Sequence, residues 1–317
     1  MRKLLTAFTL LCLLLGAVFA FITPQKTTAE KEMVQQVTDS TGREVTIPVH
    51  PKRVVILNAS NIDLYVAAGG ASTIVGKATS KALSAEVSEA TEKAVEVGII
   101  HSPDVEKILS LHPDLVIGTN VPFHMDLAAT LQQAGIPLYI RSLDSRSDVE
   151  EALKFYGSLT GEVKQASAAV DKLKKAQDAV KEQIKGRKPP KSLIVFGSPD
   201  SFNMGTGKCF TGDLVNELGG GNIADKAESS SGYVPISMEF VARENPEVLL
   251  LIMHGNPAEL EGKMRHELST NEAWQNIAAV QSGRVYVLPY ELFAVNPGMR
   301  TGEALRVLSE CLYSNNR

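Results

Sequence analysis

The chain has 317 residues, 44% of them hydrophobic and 21% charged, with a formal net charge of −4. This is the balance of a soluble globular protein long enough for two domains, and it lacks the basic footprint of a nucleic-acid binder. With three cysteines in all, one of them Cys12 in the first apolar run, it is not a disulfide scaffold.

Met1-Arg2-Lys3 precedes an apolar run over residues 4–22, the pattern of an export signal. Val18-Phe19-Ala20 and Thr27-Thr28-Ala29 are the candidate cleavage sequences, and a retained membrane anchor is the competing reading. Cys12 follows Leu10-Leu11, where a lipidation signal needs a small residue, so lipidation is not expected. The polar residues 23–36 read as a tether. "VTDSTGREVTIP" (37–48) predicts a hairpin turning at Ser40-Thr41-Gly42. "RVVILN" is a buried strand, and Asn58 to Asn61 form a loop that caps a helix over 62–68.

Strands "TIVGKA", "DLVIGT" and "PLYIRS" then alternate with helices over 105–111 and 126–134, which predicts a parallel α/β sheet covered on both faces. From residue 148 the pattern turns helical, broken at Thr160-Gly161. The second part, 162–185, would span about 36 Å at 1.5 Å per residue. It shows no evident heptad seam and reads as a rigid strut ending at "GRKPPK". The alternation resumes with "SLIVFGS", a helix over 212–218, "EVLLLIMH", "RVYVLP" and a helix over 302–313. The predicted fold is therefore α/β, with two lobes of mainly parallel sheet joined by one long rigid helix. Its parts are a signal or anchor (1–22), a tether (23–36), an N-terminal lobe (37–147), the connecting helix (148–188) and a C-terminal lobe (189–317).

The lobes echo one another. In "VEKILSLHPDLVIGT", Glu106 is followed seven residues later by Pro113-Asp114 and a buried strand. In "MEFVARENPEVLLLI", Glu239 is followed seven residues later by Pro246-Glu247 and a buried strand. His254 ends the second of these strands. Ligands of parallel sheets bind outside the carboxyl ends of the strands, so His254 is placed to reach a cleft.

The segments "TDSTGREVTIPVHPKRVV", "VEKILSLHPDLVIGT", "LQQAGIPLYI" and "YVPISMEFVARENPEVLLLI" resemble the substrate-binding proteins of importers for iron–siderophore complexes, haem and cobalamin. The likeness runs from about residue 37 to 313. Within that family, "VGIIHSPDVEKI", "GSPDSFNMGTGKCFTGDLVNELGGGNI" and "LIMHGNPAELEGKM" are similar to the haem-receptor group of the staphylococcal iron-regulated surface determinant system and its streptococcal relatives. The resemblance implies an exported haem receptor, periplasmic or tethered to the outer face of the membrane, with a ligand cleft between the two lobes. It would work as a monomer with a cognate ABC permease and ATPase.

The resemblance also assigns residues. His254, in a His-Gly-x-Pro motif, matches one axial ligand of haem iron. His101 stands at the first-lobe ligand position, where the group has methionine. Imidazole is a good ligand for haem iron, and His124-Met125 competes for the first-lobe role. Asn58, Lys81, Lys208, Arg300 and Tyr233 are expected around the cleft, with the cations facing the haem propionates. Glu106 and Glu239 match the acidic residues, one per lobe, that pair with permease arginines.

Other chemistries fit less well. "MGTGKCFTG" misplaces the lysine of a phosphate loop, and "FGSPDS" lacks the second glycine of a nucleophile elbow. Two facing histidines fall short of a zinc or manganese receptor site. The alternative within the family is a ferric siderophore or cobalamin receptor.

Overall fold

The first described elements are two strands, β1 (Val34–Thr38) and β2 (Glu44–Pro48), which pair antiparallel with Val37 opposite Val45. The structure is a computed structural model and describes residues 33–314 apart from Asp200, Glu228 and Gly255. The expected export signal lies outside the described residues. The expected tether does not extend to residue 36, because β1 begins at Val34 and recruits Gln35 and Gln36 into the ladder. Backbone pairing with β2 outweighs their polar side chains there.

The first lobe holds a five-stranded parallel sheet. It is built from β3 (Val54–Ile56), β4 (Ile74–Lys77), β5 (Val95–Glu96), β8 (Leu115–Gly118) and β9 (Leu138–Ile140), in the order β5-β4-β3-β8-β9. Between β5 and β8, β6 (Gly98–Ile99) and β7 (Ser102–Pro103) form a small antiparallel hairpin. The second lobe has β10 (Lys191–Gly197), β11 (Phe202–Gly205), β12 (Gly221–Asn222), β13 (Tyr233–Pro235), β14 (Val248–Met253) and β15 (Val285–Val287). Their order is β13-β11-β10-β14-β15, with β12 also on β10. β11 pairs antiparallel with both β10 and β13, so it alone runs against the direction of the other strands of this sheet.

The apolar runs are buried on both faces because the pleat sends alternate residues to opposite sides. Ile194, Leu250 and Ile252 join one core of the second lobe, whereas Leu193, Val195, Leu249 and Leu251 join the other. The first lobe divides the same way, with Val54 and Ile56 on one face and Val55 and Leu57 on the other.

The helical region forms two helices, Arg146–Thr160 and Val163–Ile184, broken at Gly161 with φ +80° as the Thr160-Gly161 pair predicted. They cross closely at Gly157, where an added Cβ would lie 2.4 Å from that of Ala166. The longer helix does carry a seam, contrary to expectation. Ala166, Val170, Leu173, Gln177 and Val180 are buried at alternating four- and three-residue spacing. Small Ala166 and polar Gln177 hid that stripe. Ala166, Val170 and Leu173 pack into the first-lobe core, and Val180 packs into the second.

The duplication is also local geometry. Asp104 and Ser237 cap the helices Val105–Ser110 and Met238–Glu244, with Glu106 and Glu239 at the second position of each. His112 (φ 45°) and Asn245 (φ 47°) reverse the chain before each proline. Asp114 then accepts the Lys52 and Arg53 amides at 2.6 and 3.0 Å, and Glu247 accepts the Lys191 amide at 2.8 Å. Each proline–acid pair thus pins its own buried strand to the start of β3 or β10.

Candidate functional site

The carboxyl ends of the central strands open onto a cavity of about 740 Å³ between the lobes, within the range of small-molecule sites. Asn58, His101, Lys208, Tyr233 and His254 all line it.

His254 follows β14, and its amide donates to Gly197 O at 2.8 Å, so the sheet fixes where it emerges. Its Nδ1 lies 3.2 Å from the Ala294 carbonyl oxygen. A carbonyl only accepts, so Nδ1 carries the proton and Nε2 keeps its lone pair. The ring lies nearly parallel to Phe196 (centroids 5.7 Å apart, 25°) and Tyr290 (6.3 Å, 17°). Burial, then the neighbouring His101, lowers its pKa and favours the neutral imidazole. Nδ1–H bonded to a backbone carbonyl is a common support for a metal-ligating histidine, and it raises the basicity of the free nitrogen. Gly255 of the His-Gly-Asn-Pro motif lies outside the described residues.

His101 sits at the turn of the β6–β7 hairpin, exposed. Its ring is 5.9 Å from that of His254, centroid to centroid, with the planes at 89°. With metal–nitrogen bonds of about 2 Å on both sides, two imidazoles sharing one metal stand with centroids about 6 Å apart. The two residues singled out in different lobes are brought into edge-to-face contact, at a separation that a shared metal would also give.

The competitor is placed differently. His124 is fully buried, and its Nδ1 accepts the Thr119 amide at 3.0 Å. Its Nε2 is buried without a hydrogen-bond partner among the described residues, and burial pushes its pKa down to about 4. It is a neutral core residue behind the loop rather than a group lining the cavity. Met125 packs beside the first-lobe core.

The remaining candidates separate. Asn58 is buried at the cavity wall, where its Oδ1 accepts from Asn61 Nδ2 at 2.8 Å. Asn61 also bonds Arg141 O at 3.0 Å and accepts from Tyr156 Oη at 2.8 Å, so Asn58 belongs to a satisfied polar network under the site. Lys208 is exposed, with Nζ donating to Ser229 O at 2.9 Å, and is the one lysine or arginine among the described lining residues. Lys81 does not line the cavity. Ser80 Oγ accepts the Ala82 amide at 3.1 Å, and this turn leaves Lys81 exposed. Arg300 borders a small neighbouring pocket and pairs with Glu303 at 2.9 Å, so it too is displaced from the expected role.

Tyr233 is 41% exposed and packs against Phe196, with centroids 4.7 Å apart and the planes tilted by 46°. Its hydroxyl meets Cys209, whose thiol burial pushes up to about 11. Cys209 and Cys311 are both buried and free. Sequence reasoning missed Phe123, Phe196, Tyr290 and the Ala294 carbonyl. The aromatics looked like ordinary core residues, and a backbone acceptor has no sequence signature.

A family model for periplasmic binding proteins matches residues 54–292. The high-affinity haem uptake system protein IsdE of Staphylococcus aureus (strain bovine RF122 / ET3-1) is 26% identical over 223 residues, 70% of this chain and 75% of that protein. The uncharacterized ABC transporter substrate-binding lipoprotein YvrC of Bacillus subtilis (strain 168) is 27% identical over 281 residues, 87% of this chain and 84% of its own. Among solved structures, S. aureus IsdE complexed with haem superposes with a TM-score of 0.73 at 25% identity, covering 83% of this chain and 99% of that one. An ABC transporter substrate-binding protein from Listeria monocytogenes EGD-e gives a TM-score of 0.74 at 27% identity, covering 84% and 100%. Such relatives deliver substrates to transporters and are not enzymes. Among the described residues no helix is long and apolar enough to cross a membrane. The chain belongs to the periplasmic binding protein family, as the substrate-binding protein of an ABC importer.

Proposed function

We propose that the protein is an exported haem receptor, and that His101 and His254 hold the iron of the transported haem from opposite walls of the cleft. The observation that carries this reading is the approach of the two imidazoles to 5.9 Å, with His254 fixed in the tautomer that leaves Nε2 free. A macrocycle edge reaching toward Lys208 would gain a charge-assisted contact for a propionate. Asn58 and Tyr233 would shape the walls, Asn58 through its bond to Asn61 and Tyr233 through its tilted ring contact with Phe196. The likeness to IsdE supports the same ligand class.

Glu106 and Glu239 are proposed to dock the permease. Both are exposed at equivalent positions of duplicated helices, one per lobe. The receptor would act as a monomer with its permease and ATPase, at the outer face of the cytoplasmic membrane or in the periplasm.

Titrating hemin into the purified protein tests the ligand. A saturable Soret shift near one equivalent is expected. Tighter binding of a ferric siderophore or cobalamin, with no Soret change, would replace haem by the other ligand class of the family.

A further inference from the structure

The two cleft histidines are supported unequally. His254 has a hydrogen bond to Ala294 O and two nearly parallel aromatic rings beside it. For His101, neither ring nitrogen has a hydrogen-bond partner among the described residues. Apart from His254, its ring contact is Phe123, met edge-on with centroids 5.4 Å apart at 70°.

Phe123 is itself held in an unusual way. It is 45% exposed, yet it sits in a single helical turn, Pro122–Met125, beside fully buried His124. His124 Nδ1 takes the Thr119 amide, so the turn is tied back onto the end of β8. The His124 amide also bonds Val121 O at 3.0 Å. The histidine that competed in the sequence for the ligand role thus anchors the ring that meets His101.

We propose that Phe123, seated by His124, is the positioning residue for His101, holding its imidazole perpendicular to that of His254 and leaving His101 as the exchangeable member of the pair. The proposal rests on the haem reading above. A ligand oriented by an aromatic edge alone gives up less on turning away than one fixed by a carbonyl and flanking rings. Its place at the turn of a two-stranded hairpin lets it move without disturbing either sheet. Release of the cargo would then begin at His101, with His254 last to let go.

Electron paramagnetic resonance of the full chain loaded with hemin tests this directly. Perpendicular imidazole planes leave the iron orbitals nearly degenerate and give a low-spin signal with one very large g value, whereas parallel planes give a rhombic signal. The native protein should show the former. Phe123→Leu keeps apolar bulk on an exposed turn but removes the ring edge. It should convert the signal to a rhombic or mixed-spin form and speed hemin transfer to excess apomyoglobin about three- to tenfold. Phe123→Tyr should restore both. A rhombic native signal, or a Phe123→Leu protein identical to the native one in signal and transfer rate, would overturn the proposal while leaving haem binding intact. Bound hemin with no bis-imidazole signal would overturn it together with the ligation it rests on.

Discussion

Arg146 Nε donates to Glu217 Oε1 at 2.9 Å, joining the helix that leaves the first lobe to a helix of the second. The same oxygen accepts from Gln177 and from Lys181 on the long helix. Arg146 also pairs with Glu150, and its amide donates to Asp213 at 2.8 Å. Three elements therefore meet at one carboxylate whose side chain is only 13% exposed.

Glu217→Ala should destabilise the protein by about 2 kcal/mol, because it leaves Gln177 and part of the Arg146 guanidinium half-buried without an acceptor. Urea denaturation measures this. A change under about 0.5 kcal/mol would mean that water replaces the carboxylate freely.

Asp63 predicts a pH effect. Its Oδ2 accepts the Met299 amide at 2.5 Å, where the 298–300 turn closes over the helix Ala59–Ala67. Burial raises its pKa from 3.8 to about 6, partly offset by the Met299 bond and by Arg300. The folded state thus binds this proton more tightly than the unfolded chain does. Ionisation costs stability fully above about pH 6, the cost shrinks as pH falls towards 3.8, and it is absent below. Asp63→Asn keeps an acceptor for Met299 and should gain about 1–3 kcal/mol at pH 7.5, fading by pH 4. Thermal melts at the two pH values decide it, and an equal shift at both would contradict the linkage.

His254→Ala should weaken hemin binding most, by removing the ligand that is already oriented. His101→Ala should leave hemin bound but shift its spectrum towards five-coordinate or water-ligated iron. His124→Ala provides the contrast, since a buried neutral histidine should cost stability before it changes coordination. Absorption spectra of the three loaded variants, each with its own melt, separate these roles.

Charge reversal at both Glu106 and Glu239 should abolish uptake into cells or proteoliposomes bearing the permease, while hemin affinity stays within about twofold, since both side chains are exposed. Uptake at the native rate would remove them from the docking surface.

Most of the architecture was readable because it is written in apolar periodicity. Val248 to Met253 reads as a strand buried on both faces, and the Thr160-Gly161 pair reads as a helix break. The duplicated Pro-acid junctions were visible as spacing, and their meaning emerged as the Asp114 and Glu247 carboxylates that cap strand amides. The added strands β11 and β13, paired antiparallel to each other, were missed. "FNMG" and "YVP" are too short and too rich in polar residues or breakers to stand out, and they are strands only because β10 offers an edge to β11 and β11 in turn offers one to β13. In the site, His254 was placed by its strand and His101 by family position. Lys81 failed because a one-residue shift in a turn decides whether a side chain meets the cavity or water. Nothing local in the sequence told His101 and His124 apart. That distinction depends on what covers each ring.

The long helix has a consequence for how the molecule comes apart. Its first half completes the hydrophobic core of one lobe and its second half completes the other, with Gln177 at the handover. Neither lobe can lose its structure without stripping apolar contacts from a helix that the other still needs. Heat or denaturant should therefore melt both lobes in a single cooperative transition, and a fragment ending near residue 188 would leave Val180 and Ile184 facing water, as a frayed, sticky helix end.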